Sequence, residues 1–228
     1  ALCMGAVLVL ISFQALMDGP TVRDLKARDL NSAAAPAQRH PSTSSRSWSW
    51  LLPLLPVLAI SIVATGILAL QQSALPLDLV RGGLARPGLS ESHSSALIAL
   101  QLTLLVSLQW PVGRWLAERS VAFGLGLSLA GFSLGCGLIA LSSLFERGTT
   151  LVLLALLPMA FAQAAFLPTA TEAVIEETPP EHRGLGMALF SQCFAVSAIA
   201  APLVSGALLD AQNNGLMLWL LMGGACLV

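Results

Sequence analysis

The side chains able to do chemistry in this chain fall in a few short stretches between long apolar runs. The densest is Gln109–Val121, QWPVGRWLAERSV, which sets Arg114, Glu118 and Arg119 between two such runs. Charges at paired helix ends can bond backbone carbonyls and a facing carboxylate, a contact that forms and breaks as helices move; they can equally serve only to orient the chain. A second stretch carries Glu172, Glu176, Glu177 and Glu181 and closes on Pro179-Pro180-Glu181-His182-Arg183-Gly184. Its acids read as a solvated face or a gate contact. His40, His93 and His182 lie in three separate stretches, and Cys3, Cys136, Cys193 and Cys226 stand singly within apolar segments. Neither set has the spacing of a metal site or redox pair, so no catalytic residue, metal or cofactor is expected, and the cysteines read as small packing residues. Inside the runs the polar points are amides and hydroxyls, chiefly Gln101, Thr103 and Gln163. An uncharged amide there bonds a neighbouring helix more often than a solute.

Composition sets the phase in which these groups must work. Apolar residues make up 56% of the chain, charged residues 10%, and the mean hydropathy is +0.80, which exceeds what a soluble domain carries. A charge at the bilayer centre costs about 2.5 kcal/mol or more, and no ionisable side chain falls inside the apolar runs. The expected fold is therefore all-α, a polytopic transmembrane helix bundle. A net charge of −1 without a basic tract excludes nucleic acid as a partner.

The runs follow in order. Residues 1–17 form a first span, and the chain, beginning on Ala, is expected to start within a longer protein. Residues 18–47, rich in Ser, Ala and Pro, form a linker with Arg23, Lys26, Arg28, Arg39 and Arg46. Further spans are expected at 48–70, 94–110, 121–144, 149–171 and 187–209, with 216–228 a seventh one cut short, and 71–93 is an outer loop. The fourth span carries a Gly-x-x-x-Gly, Gly131 and Gly135, the spacing of close helix contact. Alternation puts the linker 18–47 and the loops 111–120 and 172–186 on one side with eight Lys and Arg, against three (Arg81, Arg86, Arg147) on the other. Positive charge is retained inside, so the first set is expected to be cytoplasmic.

The tract Leu116-Ala117-Glu118-Arg119 resembles the Leu-Ala-Asp-Arg core of the signature loop of the major facilitator superfamily, with Gly113 one place early and no glycine at Val121. Pro179 to Ala188 resembles the loop that opens the eleventh helix in that family, and Ala201-Pro202-Leu203-Val204-Ser205-Gly206 with Asp210 resembles the ending of that helix. The resemblance implies a C-terminal half, helices 6 to 12. Residues 1–17 would then be the last helix of the N-terminal bundle, and 48–228 the C-terminal bundle.

It further implies secondary active transport by alternating access, in the cell membrane. The spans at 48–70 and 149–171 would face the cavity, with Thr65, Met159, Phe161, Gln163 and Phe166 as lining candidates and Gln101 and Gln192 as additions. Gly113, Arg114, Glu118, Arg119 and Arg183 would form a conformational latch, and Pro202 with Gly206 a helix bend. The Pro-Glu-Ser-Pro-Arg tract of sugar porters is absent, Asp18-Gly19-Pro20-Thr21 standing there instead. With no carboxylate in the spans, a proton-coupling acid is expected upstream of Ala1. The expectation is a drug-exporter-like monomer moving a small neutral or lipophilic solute outward against protons, its partners being lipid, solute and protons. The competing reading is a multipass protein without transport activity, a scaffold or membrane enzyme.

Overall fold

The computed structural model describes residues 48–227. The expected first span (1–17) and linker (18–47) lie outside the described residues. A 3-10 turn at Trp48–Trp50 leads into six helices: α1 Leu51–Arg81, α2 Glu91–Leu116, α3 Val121–Ser142, α4 Gly148–Glu177, α5 Arg183–Gln212 and α6 Leu216–Ala225. The first five are long and apolar enough to cross a membrane; α6 has 10 residues. Among the described residues the architecture is all-α.

Helices α1, α2, α4 and α5 outrun the apolar stretches because a helix ends at a cap or breaker, not where hydropathy falls. The run at 48–70 becomes a helix of 31 residues, about 46 Å at 1.5 Å per residue. Gln71 and Gln72 do not stop it; Gly82 does, at φ 91°, with its N–H bonded to Asp78 O at 2.9 Å. Ser90 and Ser120 cap α2 and α3, accepting from the N–H groups of His93 and Phe123. Three expectations are corrected. The outer loop shrinks from 71–93 to 82–90, the loops at 111–120 and 172–186 shrink to 117–120 and 178–182, and a carboxylate, Asp78, lies within a spanning helix.

Small residues set the closest contact. A Cβ on Gly124, Gly131 or Gly135 of α3 would meet Thr169, Ala162 or Met159 of α4 at 2.3, 2.9 and 2.4 Å. The numbers fall on α4 as they rise on α3, so the pair is antiparallel and nearly backbone to backbone. α1 and α5 run parallel, joined where Thr65 Oγ1 meets Ser197 Oγ at 2.8 Å and Cys193 O at 3.3 Å. One end of the bundle gathers 82–90, 143–147 and 213–215. At the other, Trp50 stacks on His182 with centroids 4.9 Å apart, near the turns at 117–120 and 178–182.

Candidate functional site

Three helices bring amides together in the interior. Gln71 on α1, Gln101 on α2 and Gln163 on α4 are each 5% exposed, beside Met159 at 1%. Gln163 Nε2 donates to Gln71 Oε1, and Gln71 Nε2 donates to Met159 Sδ at 2.7 Å. Gln101 has two sets of partners. With its amide one way round it donates to Gln71 Oε1 at 3.5 Å; turned over, it donates to Leu156 O at 2.9 Å and accepts from Ala160 N at 3.2 Å. The turned amide satisfies both of its ends and engages the α4 backbone one turn from the cluster. The cluster holds donors and acceptors with no formal charge, which suits a neutral polar group rather than an ion.

The other lining candidates divide. Thr65 is buried in a hydroxyl seam, bonded to Ser61 O at 2.6 Å and to Ser197, and ties α1 to α5. Phe166 is fully buried between the rings of Phe132 and Phe190, each 6.4 Å away, so it packs the core. Phe161 packs with Val112, Leu116, Ala164 and Ala165, its ring 6.5 Å from Trp115. Gln192 is exposed on α5, away from the amides on α1, α2 and α4.

Of the latch residues, Arg114, Glu118, Arg119 and Arg183 are exposed and Gly113 is half-buried. Arg114 lies over Trp110 at 5.0 Å, and Arg119 over Trp115 at 5.5 Å and Phe123 at 5.9 Å. The arginines thus rest on aromatic faces at the helix ends. Among the described residues the ion pairs, Arg81–Asp210 at 2.7 Å and Arg86–Asp78 at 3.0 Å, both belong to the opposite end. Helix α5 runs unbroken through Pro202, which is exposed, and an added Cβ on Gly206 would meet no atom within 4 Å.

Two groups escaped the sequence reading. Gln71 falls in the expected outer loop, yet it lies on α1 and accepts from Gln163. Asp78 and Arg86 fall in the same expected loop, yet both side chains are fully buried. Asp78 also accepts from Gly215 N at 2.9 Å and from the Trp219 indole at 3.4 Å. The available signal is spacing: Gln71 and Asp78 are seven residues apart, on one helical face, although Pro76 between them reads locally as a helix breaker and the helix runs through it. Among the described residues no three His, Cys, Asp or Glu side chains gather as metal ligands would.

No curated protein and no solved structure matches the chain. A sequence model of the Major Facilitator Superfamily matches residues 43–228. Those residues cover the whole described bundle, including its five membrane-length helices. With the match extending over most of its length, the chain belongs to the Major Facilitator Superfamily, a family of membrane transporters.

Proposed function

We propose that this chain is the C-terminal half of a drug-exporter-like transporter that moves a small neutral or lipophilic solute outward by alternating access, at the expense of a proton gradient. The observation that carries the reading is the Gln71–Gln163–Met159 cluster, with Gln101 beside it: hydrogen-bonding groups without net charge, enclosed by apolar helices. A fixed charge would be needed to offset the desolvation of an organic anion or cation, whereas amides and a thioether suit neutral groups. The buried charges among the described residues, Asp78 and Arg86, neutralise each other. Asp78 is therefore not the coupling acid in this reading, since its carboxylate already accepts from Arg86, Gly215 and Trp219. That role falls to an acid outside 48–227.

In the same reading Arg114 and Arg119 serve in the latch. Arg114 and Arg119 are held on aromatic faces at the end that carries Glu172, Glu176 and Glu181, and are free to exchange those faces for a carboxylate on a second bundle. The protein acts as a monomer in the cell membrane, with 117–120 and 178–182 in the cytoplasm.

The test is efflux from cells expressing the transporter, with a panel of neutral, cationic and anionic fluorescent solutes. Neutral solutes should leave fastest. Gln163→Leu should slow them about tenfold, the equivalent of one net hydrogen bond of roughly 1.4 kcal/mol. Export confined to organic anions, or unchanged export by Gln163→Leu, would refute the reading.

A further inference from the structure

We propose that residues 82–90 form a strap across one end of the bundle, fastened by the buried Asp78–Arg86 pair, so that the strap lifts off that end only when the pair breaks. The segment has the build of a strap. After Gly82 turns the chain, Gly83 N bonds Arg86 O at 2.9 Å and Leu89 N bonds Leu79 O at 2.8 Å, laying the segment back along the end of α1. Ala85 N reaches Ser143 O at 2.9 Å and so pins it to the turn between α3 and α4. Two glycines make this approach possible. A Cβ on Gly83 would meet Ser143 Cα at 2.5 Å, and one on Gly88 would meet Val80 O at 2.4 Å.

Arg86 drives inward from the strap. It is 2% exposed, donates from Nη1 to Ser142 Oγ, and places Nη2 at 3.1 Å from Asp78 O and 3.0 Å from Asp78 Oδ2. The same carboxylate accepts from Gly215 N, at the start of α6, through Oδ1 and from the Trp219 indole through Oδ2. Gly215 fits there because a Cβ would lie 2.5 Å from Asp78 Oδ1. One carboxylate thus joins α1, the strap and α6, while the guanidinium adds the end of α3.

Burial makes the fastener all-or-none. Moving either charge alone leaves its partner unpaired in the interior, which costs far more than the pair itself contributes. The strap therefore stays down with the pair intact, or lifts as a whole with Arg86 carried into water while Asp78 keeps the Gly215 N–H and the Trp219 indole as donors, and that gives the element two discrete arrangements. Release is eased by imperfect fit: Arg86 Nε and the nearby Ser143 Oγ are buried without a partner, and both regain water when the strap lifts. The neighbouring Arg81–Asp210 pair does not substitute for the fastener. Its side chains are 35% and 69% exposed, where an ion pair contributes little.

This inference is independent of the solute and of the direction of transport. Its test uses a cysteine reporter, Ser143→Cys, in the protein reconstituted in lipid nanodiscs, with modification by a water-soluble maleimide followed at that site by mass spectrometry. With the fastener intact the reporter should react slowly. Adding Arg86→Ala should accelerate it at least tenfold, and millimolar guanidinium should slow it again while potassium chloride at equal ionic strength does not. If Arg86→Ala fails to fold, Asp78→Asn with Arg86→Gln replaces it, a neutral pair of similar shape that should also react at least tenfold faster. Wild-type reactivity in whichever variant folds, or equal effects of guanidinium and potassium chloride on Arg86→Ala, would overturn the proposal.

Discussion

Asp78 and Arg119 show how differently two charged residues of one chain are treated. Asp78 is enclosed and saturated with donors, so it belongs to the architecture; Arg119 is exposed on the faces of Trp115 and Phe123, so it remains available. Asp78→Asn removes the charge that holds Arg86 in the interior and should lower stability by about 3–5 kcal/mol, read as a reduced thermal midpoint in detergent. Arg119→Ala removes only an exposed contact and should leave that midpoint nearly unchanged. If it forms part of the latch, transport should nevertheless fall while membrane insertion stays normal; unchanged transport would leave it a charge that only orients the chain. Gln101 lies between these cases. Its amide serves either Gln71 or the α4 backbone, so Gln101→Leu should weaken solute binding more than it weakens the fold, measured as a raised KM with a near-normal thermal midpoint.

At the scale of elements, the antiparallel α3–α4 pair supports the amide cluster from behind. A Cβ added at Gly135 would meet Met159 Cγ at 2.4 Å, and Met159 Sδ in turn accepts from Gln71. Gly135→Ala should therefore displace Met159, cost about 1–3 kcal/mol by overpacking, and impair transport through Gln71. Gly137, two residues on, has nothing within 4 Å of an added Cβ, so Gly137→Ala should be neutral or stabilise by up to about 1 kcal/mol through helix propensity. Thermal midpoints of the two variants measured side by side check this; equal effects would mean that the contact is looser than described. The close helix contact was legible in the Gly131–Gly135 spacing, because small residues four apart have one main use in an apolar helix. The partner helix was not legible, since nothing local to α3 says which helix faces it.

For the whole molecule, the two ends differ in kind: at one, a buried ion pair ties 82–90 to α1, an exposed pair ties α1 to α5 and hydrogen bonds to Asp78 hold α6, while Arg114, Arg119 and Arg183 stand exposed at the other. Cysteines placed at Ser92 and Ala117, both exposed, should react with an impermeant maleimide from opposite faces of intact cells, Ala117 only after permeabilisation. Labelling of both from outside would reverse the proposed orientation. By itself the sequence determined the class, the number of membrane-length helices in 48–227 and the alternation of their ends, because the exclusion of charge from hydrocarbon is written residue by residue along the chain. It also singled out Gln163, Gln101 and Met159, which meet in the interior. Only the tertiary structure decided that Phe166 fills the core, that Gln71 completes the amide cluster, and that Asp78 and Arg86 are buried. Hydropathy reports a residue's own cost of leaving water, whereas the partners that offset that cost come from α3, α4 and α6, up to 141 positions away. No window along the chain contains them.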